Sequence, residues 1–80
     1  MKDINKAFGI RVRRRREALG LSQEELAFQA GLHRTYISLI ERGLRGVTIE
    51  TIAKLAKALQ TTSSQMLEHI EQGNDEASVD

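Results

Sequence analysis

The chain has no cysteine, no proline and no tryptophan, and only three aromatic residues among its 80. Without cysteine there is no disulfide framework, no thiolate nucleophile and no Cys-based zinc site. Without proline, and with little alternation of β-branched residues, nothing argues for strands or for breaks within helices. No apolar run approaches the roughly 20 residues that cross a bilayer. The start "MKDINKAFGIRV" has no apolar signal-peptide core followed by a small-residue cleavage site, so the expected location is the cytoplasm. A chain of this length makes one domain near the lower limit for a self-contained core, to which a partner subunit would be useful.

Charge is balanced in total and unbalanced along the chain. The formal net charge is +1. All twelve Lys and Arg lie in residues 1–57 against six acids there, +6, whereas residues 58–80 hold five acids and no base, −5. This asymmetry fits a body that faces a polyanion and an end turned away from it. A solvated surface with an acidic tail is the plainer alternative.

The apolar pattern is helical throughout. From Ile4, the residues Phe8, Val12 and Leu19 share one face at about 100° per residue, with Arg15 interrupting that face and Gly20 ending the helix. Arg15 is expected to pack its stem and send its head to solvent. "LSQEEL" opens a second helix with Ser22 as N-cap, Glu25 as its capping-box partner and a Leu21–Leu26 staple. Gly31 closes it, and a third helix starts almost at once, running to about Glu41. Two short helices joined by a tight Gly-containing turn predict a helix-turn-helix. Thr48 caps a fourth helix with the apolar face Ile49, Ile52, Leu55, Ala56 and Leu59. Thr62 and Gln65 form a second capping box, opening a fifth helix that carries Met66, Leu67 and Ile70. The fold class is therefore all-α, a compact five-helix bundle over residues 1–72, with 73–80 expected to be a disordered acidic tail.

These residues carry a resemblance. "GLSQEELAFQAGLHRTYISLIERG" with "TIETIAKLAKAL" resembles the Xre/Cro/repressor-type helix-turn-helix family of phage and bacterial regulators, over roughly Phe8 to Leu67. Within it, "HRTYIS" and "ERGLRGVTIE" resemble the controller proteins of restriction–modification systems. The chain departs from the family pattern at Arg15 and Leu19 late in the first helix, and at His33, where Ser or Thr usually caps. It departs again at Val47, in place of a common Pro, and at Gln60-Thr61, in place of a common Gly-Val. None of these removes a DNA contact. The resemblance implies a repressor-like DNA-binding fold and an ion pair between Arg16 and Glu41 that ties the first helix to the end of the third.

In a helix-turn-helix the second helix of the motif enters the major groove with its N-terminal residues against base edges. That accounts for a helix start, "HRTY", with four polar-capable side chains and no core duty. Arg34 can bond guanine O6 and N7 in bidentate fashion, and Thr35 can present a hydroxyl and a methyl to a base. Tyr36 and Ser38 are candidates for a second base, a phosphate or a water bridge. Phosphate contacts fall to Gln23, at the start of a helix, to Arg42 and Arg45 around the exit, to Arg13 or Arg14, and to His33, for which capping alone is an equal alternative. Phe28 occupies a position that is often polar, where partial packing is expected ahead of the alternative, a role at a DNA or protein interface. Met66, Leu67 and Ile70 could belong to the core alone; in a short chain whose last helix carries no base, a two-fold dimer seam is the favoured reading. Two recognition helices so held would read a palindromic operator in the double-stranded DNA.

No enzyme is expected, since His33 and His69 belong to no metal-ligand spacing and no phosphate-cradling glycine motif occurs. Neither cofactor, small-molecule ligand nor membrane partner is expected. With nearly the whole chain used by the DNA-binding fold, protein concentration acting through dimerisation is the expected input, which favours autoregulation. The competing reading is an antitoxin or protein-interaction module whose main partner is another protein.

Overall fold

A computed structural model describes residues 3–72. The expected tail, 73–80, lies outside the described residues. Five α-helices follow in order, α1 Ile4–Ala18, α2 Gln23–Ala30, α3 Arg34–Glu41, α4 Ile49–Ala58 and α5 Ser63–Leu67, then a 3-10 turn at Ile70–Gln72; no strand occurs among the described residues.

Each N-terminus is fixed by a side chain that accepts an otherwise orphaned N–H. Asp3, Ser22, His33, Thr48 and Thr62 each cap the helix that follows. The Ser22–Glu25 box is reciprocal. Its backbone and side-chain hydrogen bonds from Ser22 hold the Glu25 carboxyl below the usual range. The second expected box is only half formed. Thr62 Oγ1 accepts from the Gln65 N–H, while the Gln65 side-chain oxygen Oε1 accepts from Thr61 Oγ1 rather than from the cap backbone. At the C-terminus of α4 the chain turns through a left-handed residue, as it does after α1, α2 and α3, but Gln60 (φ 59°) stands where the others use glycine.

Fifteen apolar side chains form the core, with Leu26, Ile37, Ile40, Leu55, Leu59 and Val12 the largest fully buried ones. Leu19, Leu32, Tyr36 and Val47 pack against it from the rim. Several expectations are corrected here. Ile49 is 86% exposed, so the buried face of α4 begins at Thr51 and Ile52. Phe28 is 88% exposed rather than partly packed. The fifth helix stops at Leu67, because the chain leaves helical geometry at Glu68 and His69 takes a left-handed φ of 55°. Ile70 then returns to the core from the 3-10 turn. Met66 and Ile70 are 4% and 6% exposed within the protomer's own core, so they are not free to form a dimer seam.

Arg15 does not send its head into open solvent. Its Nε donates to the Leu59 carbonyl at 2.9 Å and its Nη2 to the Gln60 carbonyl at 3.0 Å. One turn earlier, Arg11 Nη1 donates to the Met66 carbonyl at 3.0 Å. Two cations on α1 thus serve the carbonyl ends of α4 and α5, where the helix dipole favours positive charge.

Gly9 sets the spacing of the bundle. It is buried in α1, and a methyl built there would overlap the Ile40 carbonyl oxygen and stand 2.8 Å from that of Glu41. The backbone of α1 therefore lies directly on the end of α3. Gly43 (φ 72°) makes the matching approach from the other side, where a Cβ would come within 2.7 Å of Lys6 Cα. We expect Gly9→Ala to lower stability by about 1–3 kcal/mol through overpacking, measured as a shift in the urea midpoint. Gly46→Ala, where a Cβ meets nothing closer than 3.6 Å, should shift it little. Equal shifts would remove the close-approach argument.

Candidate nucleic-acid interface

The helix-turn-helix is positioned by a small polar network. Arg16 Nε donates to Glu41 Oε2 at 2.6 Å and Nη2 to Oε1 at 3.1 Å, a bidentate pair with side chains 11% and 3% exposed. The remaining Arg16 nitrogen, Nη1, donates to the Leu21 carbonyl at 2.7 Å, in the turn before α2. Gln23 Nε2 adds a third donor to the carboxylate, at 3.0 Å from Oε1. The hydrogen bond from Arg16 to Glu41 is the main reason that the guanidinium pKa is held above its ordinary value, against the opposing effect of partial burial. One carboxylate on the last turn of α3 thus gathers donors from α1 and the first turn of α2.

The rear of α3 is anchored and its front is open. Ile37 and Ile40 are buried, while His33, Arg34 and Thr35 are exposed and Ser38 is half-buried. His33 caps the helix: its Nδ1 accepts from the Thr35 N–H at 3.1 Å. That geometry requires an unprotonated Nδ1, which leaves the hydrogen of the neutral ring on Nε2. Tyr36 differs from its three neighbours. It is half-buried against the core, and its Oη donates to the Gly46 carbonyl at 3.4 Å, a long bond that links α3 to the loop after it. The Arg45 guanidinium sits over the Tyr36 ring, 5.9 Å from its centroid.

The other candidate phosphate contacts are spread around this front. Arg42 and Arg45 are exposed at the exit of α3, with Arg42 Nε folded back to the Ser38 carbonyl at 3.4 Å. The side-chain nitrogen of Gln23 is directed to Glu41, so any phosphate contact there falls to its backbone N–H. Arg13 is exposed and pairs with Glu17 along α1 at 3.2 Å. At 3.6 residues per turn it lies roughly 40° around the helix from Gly9, on the flank toward α3, whereas Arg14 lies roughly 140° away. The run "RRRR" is therefore four separate side chains, not a patch.

Sequence reasoning missed Gly9 and Gly43, which carry the spacing of α1 and α3. A glycine inside an otherwise helical pattern costs about 1 kcal/mol relative to alanine, and that cost was the available signal of a close backbone approach. It also missed the carbonyl-capping roles of Arg11 and Arg15.

Among the described residues no helix is long and apolar enough to cross a membrane, and no group of three or more His, Cys, Asp or Glu could hold a metal ion. A helix pair of this geometry, with a polar front and an ion pair behind it, defines a helix-turn-helix protein. The model of the helix-turn-helix family matches residues 12–67, and the chain belongs to that family. Its relatives narrow the class. It is 45% identical over 73 residues to control protein C.BamHI of Bacillus amyloliquefaciens, covering 90% of each chain. It is 48% identical over 65 residues to control protein C.SmaI of Serratia marcescens, covering 81% of this chain and 77% of that one. Its structure superposes with a TM-score of 0.76 on the restriction-modification controller protein C.AhdI from Aeromonas hydrophila. The identity there is 47%, over 78% of this chain and 94% of that one. The protein is thus a DNA-binding helix-turn-helix transcriptional regulator of the restriction–modification controller type.

The Arg16–Glu41 tie can be tested on stability alone. Either single alanine should cost about 3 kcal/mol, because it leaves a partly buried charge without its partner. The double mutant should lose less than the sum of the two. Additive losses in chemical unfolding would mean that the pair does not act as a unit.

Proposed function

We propose that the protein binds a palindromic operator as a homodimer through the major groove and regulates its own transcription unit. The observation that carries the reading is the division of α3, whose rear is buried and ion-paired while Arg34 and Thr35 stand exposed on its first turn. A side chain at that place is supported on a rigid helix and free to meet base edges. Arg34 and Thr35 are the principal base readers in this proposal, with Ser38 beside them. Tyr36 keeps a base-reading role only if its ring leaves the loop contact, and otherwise positions Arg45. Phosphates fall to Arg42, Arg45, Arg13, the Gln23 backbone and His33 Nε2–H. A location in the cytoplasm fits this function.

The dimer is retained and its seam is moved. Of the residues first assigned to it only Leu67, 37% exposed, offers side-chain surface. Besides Phe28 (88%) and Ile4 (49%), the apolar side chains more exposed than Leu67 are Leu44 (63%) and Ile49 (86%), in the loop after α3 and at the start of α4. A seam built on either set would hold two recognition helices at fixed separation and so favour an inverted repeat. The wild type should sediment as a dimer at micromolar concentration, and the seam is marked by whichever of Ile49→Asp and Leu67→Asp yields a folded monomer. A monomeric wild type that binds palindromes without cooperativity would sink the dimer.

Base reading and positioning separate by experiment. Arg34→Ala should lose about 1–3 kcal/mol on the preferred site and relax preference at one base pair per half-site, with little change on random duplex. Arg45→Ala should weaken both duplexes alike and flatten the salt slope by about one unit. If the Arg34 loss is the same on random DNA, Arg34 is a phosphate contact and the base-reading assignment fails.

A further inference from the structure

An apolar side chain stands on the polar front of the recognition helix. Ile37 and Ile40 mark the buried face of α3. At about 100° per residue, Ser38 and Leu39 each lie roughly 130° from the mid-line of that face, on either side of Thr35. Thr35 and Leu39 are only about 40° apart around the helix. Leu39 is half-buried, yet it belongs neither to the core nor to the rim formed by Leu19, Leu32, Tyr36 and Val47. The exit turn fixes its backbone. The Gly43 N–H donates to the Ile40 carbonyl at 3.0 Å and the Leu44 N–H to the Leu39 carbonyl at 2.9 Å, the pattern in which side chains so placed commonly meet. Leu39 thus has a rigid place on a front that it shares with Thr35, Ser38 and Arg42, all polar.

We propose that Leu39 is a specificity-determining residue that reads the C5 methyl group of a thymine in the major groove. This rests on the operator-binding reading of α3, which it extends by one residue. The Leu39 side chain has no polar atom. Set against a guanine, adenine or cytosine edge, it would strip water from donors and acceptors and leave them unpaired. The thymine methyl is the apolar group that base pairs present in this groove, so a thymine there gains from the contact. Leu39 lies four residues after Thr35, about 6 Å further along the helix. That moves its contact by about one to two base-pair steps of roughly 3.4 Å each. The two side chains then read neighbouring positions, with Arg34 and Ser38 on the other flank of the front.

The probe is the duplex that the wild-type protein selects from random sequence, with each thymine of a half-site replaced in turn by deoxyuridine. That change removes the methyl and leaves the pairing edge intact. At one position the wild type should bind the uracil duplex about four-fold more weakly, the loss expected for one buried methyl. Leu39→Ala should lose that discrimination and no other. Thr35→Ser, which removes the other methyl able to meet a thymine, should keep it. Leu39→Gln puts an amide suited to adenine in place of the apolar end, and reselection with it should change the preferred base at that position alone. A loss of stability would instead weaken binding to the thymine and uracil duplexes alike. A uracil scan identical in the wild type and Leu39→Ala overturns the proposal and leaves Leu39 as a packing residue of the exit turn. So does reselection of an unchanged site by Leu39→Gln. Either result with Arg34-dependent base preference intact strikes this contact alone, whereas a wild type that selects no site overturns the operator reading with it.

Discussion

The ion pair between Arg16 and Glu41 is the contact on which the arrangement of the first three helices depends. Glu41 closes α3, Arg16 lies near the end of α1, and the same two side chains reach the Leu21 carbonyl and the Gln23 amide at the start of α2. A buried ion pair is weak evidence for net stability, since desolvation offsets much of its attraction. What a bidentate pair supplies is geometry, because two parallel hydrogen bonds fix both distance and orientation. Here that geometry sets the angle at which the recognition helix leaves the body of the protein.

The pair acts at the same end of α3 as the glycine contacts. Gly9 lets the α1 backbone lie on the Ile40 and Glu41 carbonyls, and Gly43 lets the exit turn back against Lys6. A side chain at either site would have to push apart the backbones that meet there. Once the C-terminal end of α3 is pinned from two sides, its N-terminal turn needs no core contact to hold its direction. Arg34 and Thr35 can then be chosen for what they meet outside the protein.

Much of this was legible in the sequence because it is local. Ser22 with Glu25, Thr48, and the Gly-bounded turn each follow from hydrogen-bonding needs within a few residues, and they locate α2, α3 and α4 closely. Buried faces were legible only where two or more turns repeat the pattern. Ile49 fits the period of α4, yet it stands at the first turn, beyond the reach of the core, and period alone cannot tell an end from a middle. Met66 and Ile70 were read as one helical stripe, whereas a left-handed His69 and a 3-10 turn bring Ile70 inward by another route. Whether such residues face the protomer or a partner is a question of long-range packing, and no spacing along the chain encodes it. For the candidate site, the exposed first turn of α3 was foreseeable. The Tyr36–Arg45–Gly46 contact was not, since it joins the helix to a loop whose path the sequence leaves open.

The arginines of α1 show how a small domain uses charge as structure. A linear count assigns all positive charge to residues 1–57 and none to the end that follows. Folding reverses that separation, because Arg15 donates to the carbonyl end of α4 and Arg11 to that of α5. In each case the cation satisfies carbonyls that no helical N–H can reach and meets the negative end of the helix dipole. The arrangement matters most at α4, where Gln60 rather than glycine adopts the left-handed turn. A side chain there carries a strain of about 1–2 kcal/mol relative to a right-handed residue, and the two hydrogen bonds from Arg15 fall on that residue and its neighbour. The departure from apolar patterning at Arg15 and the departure from glycine at Gln60 are therefore one feature. Each looks unfavourable in its own segment, and the two offset each other across the bundle.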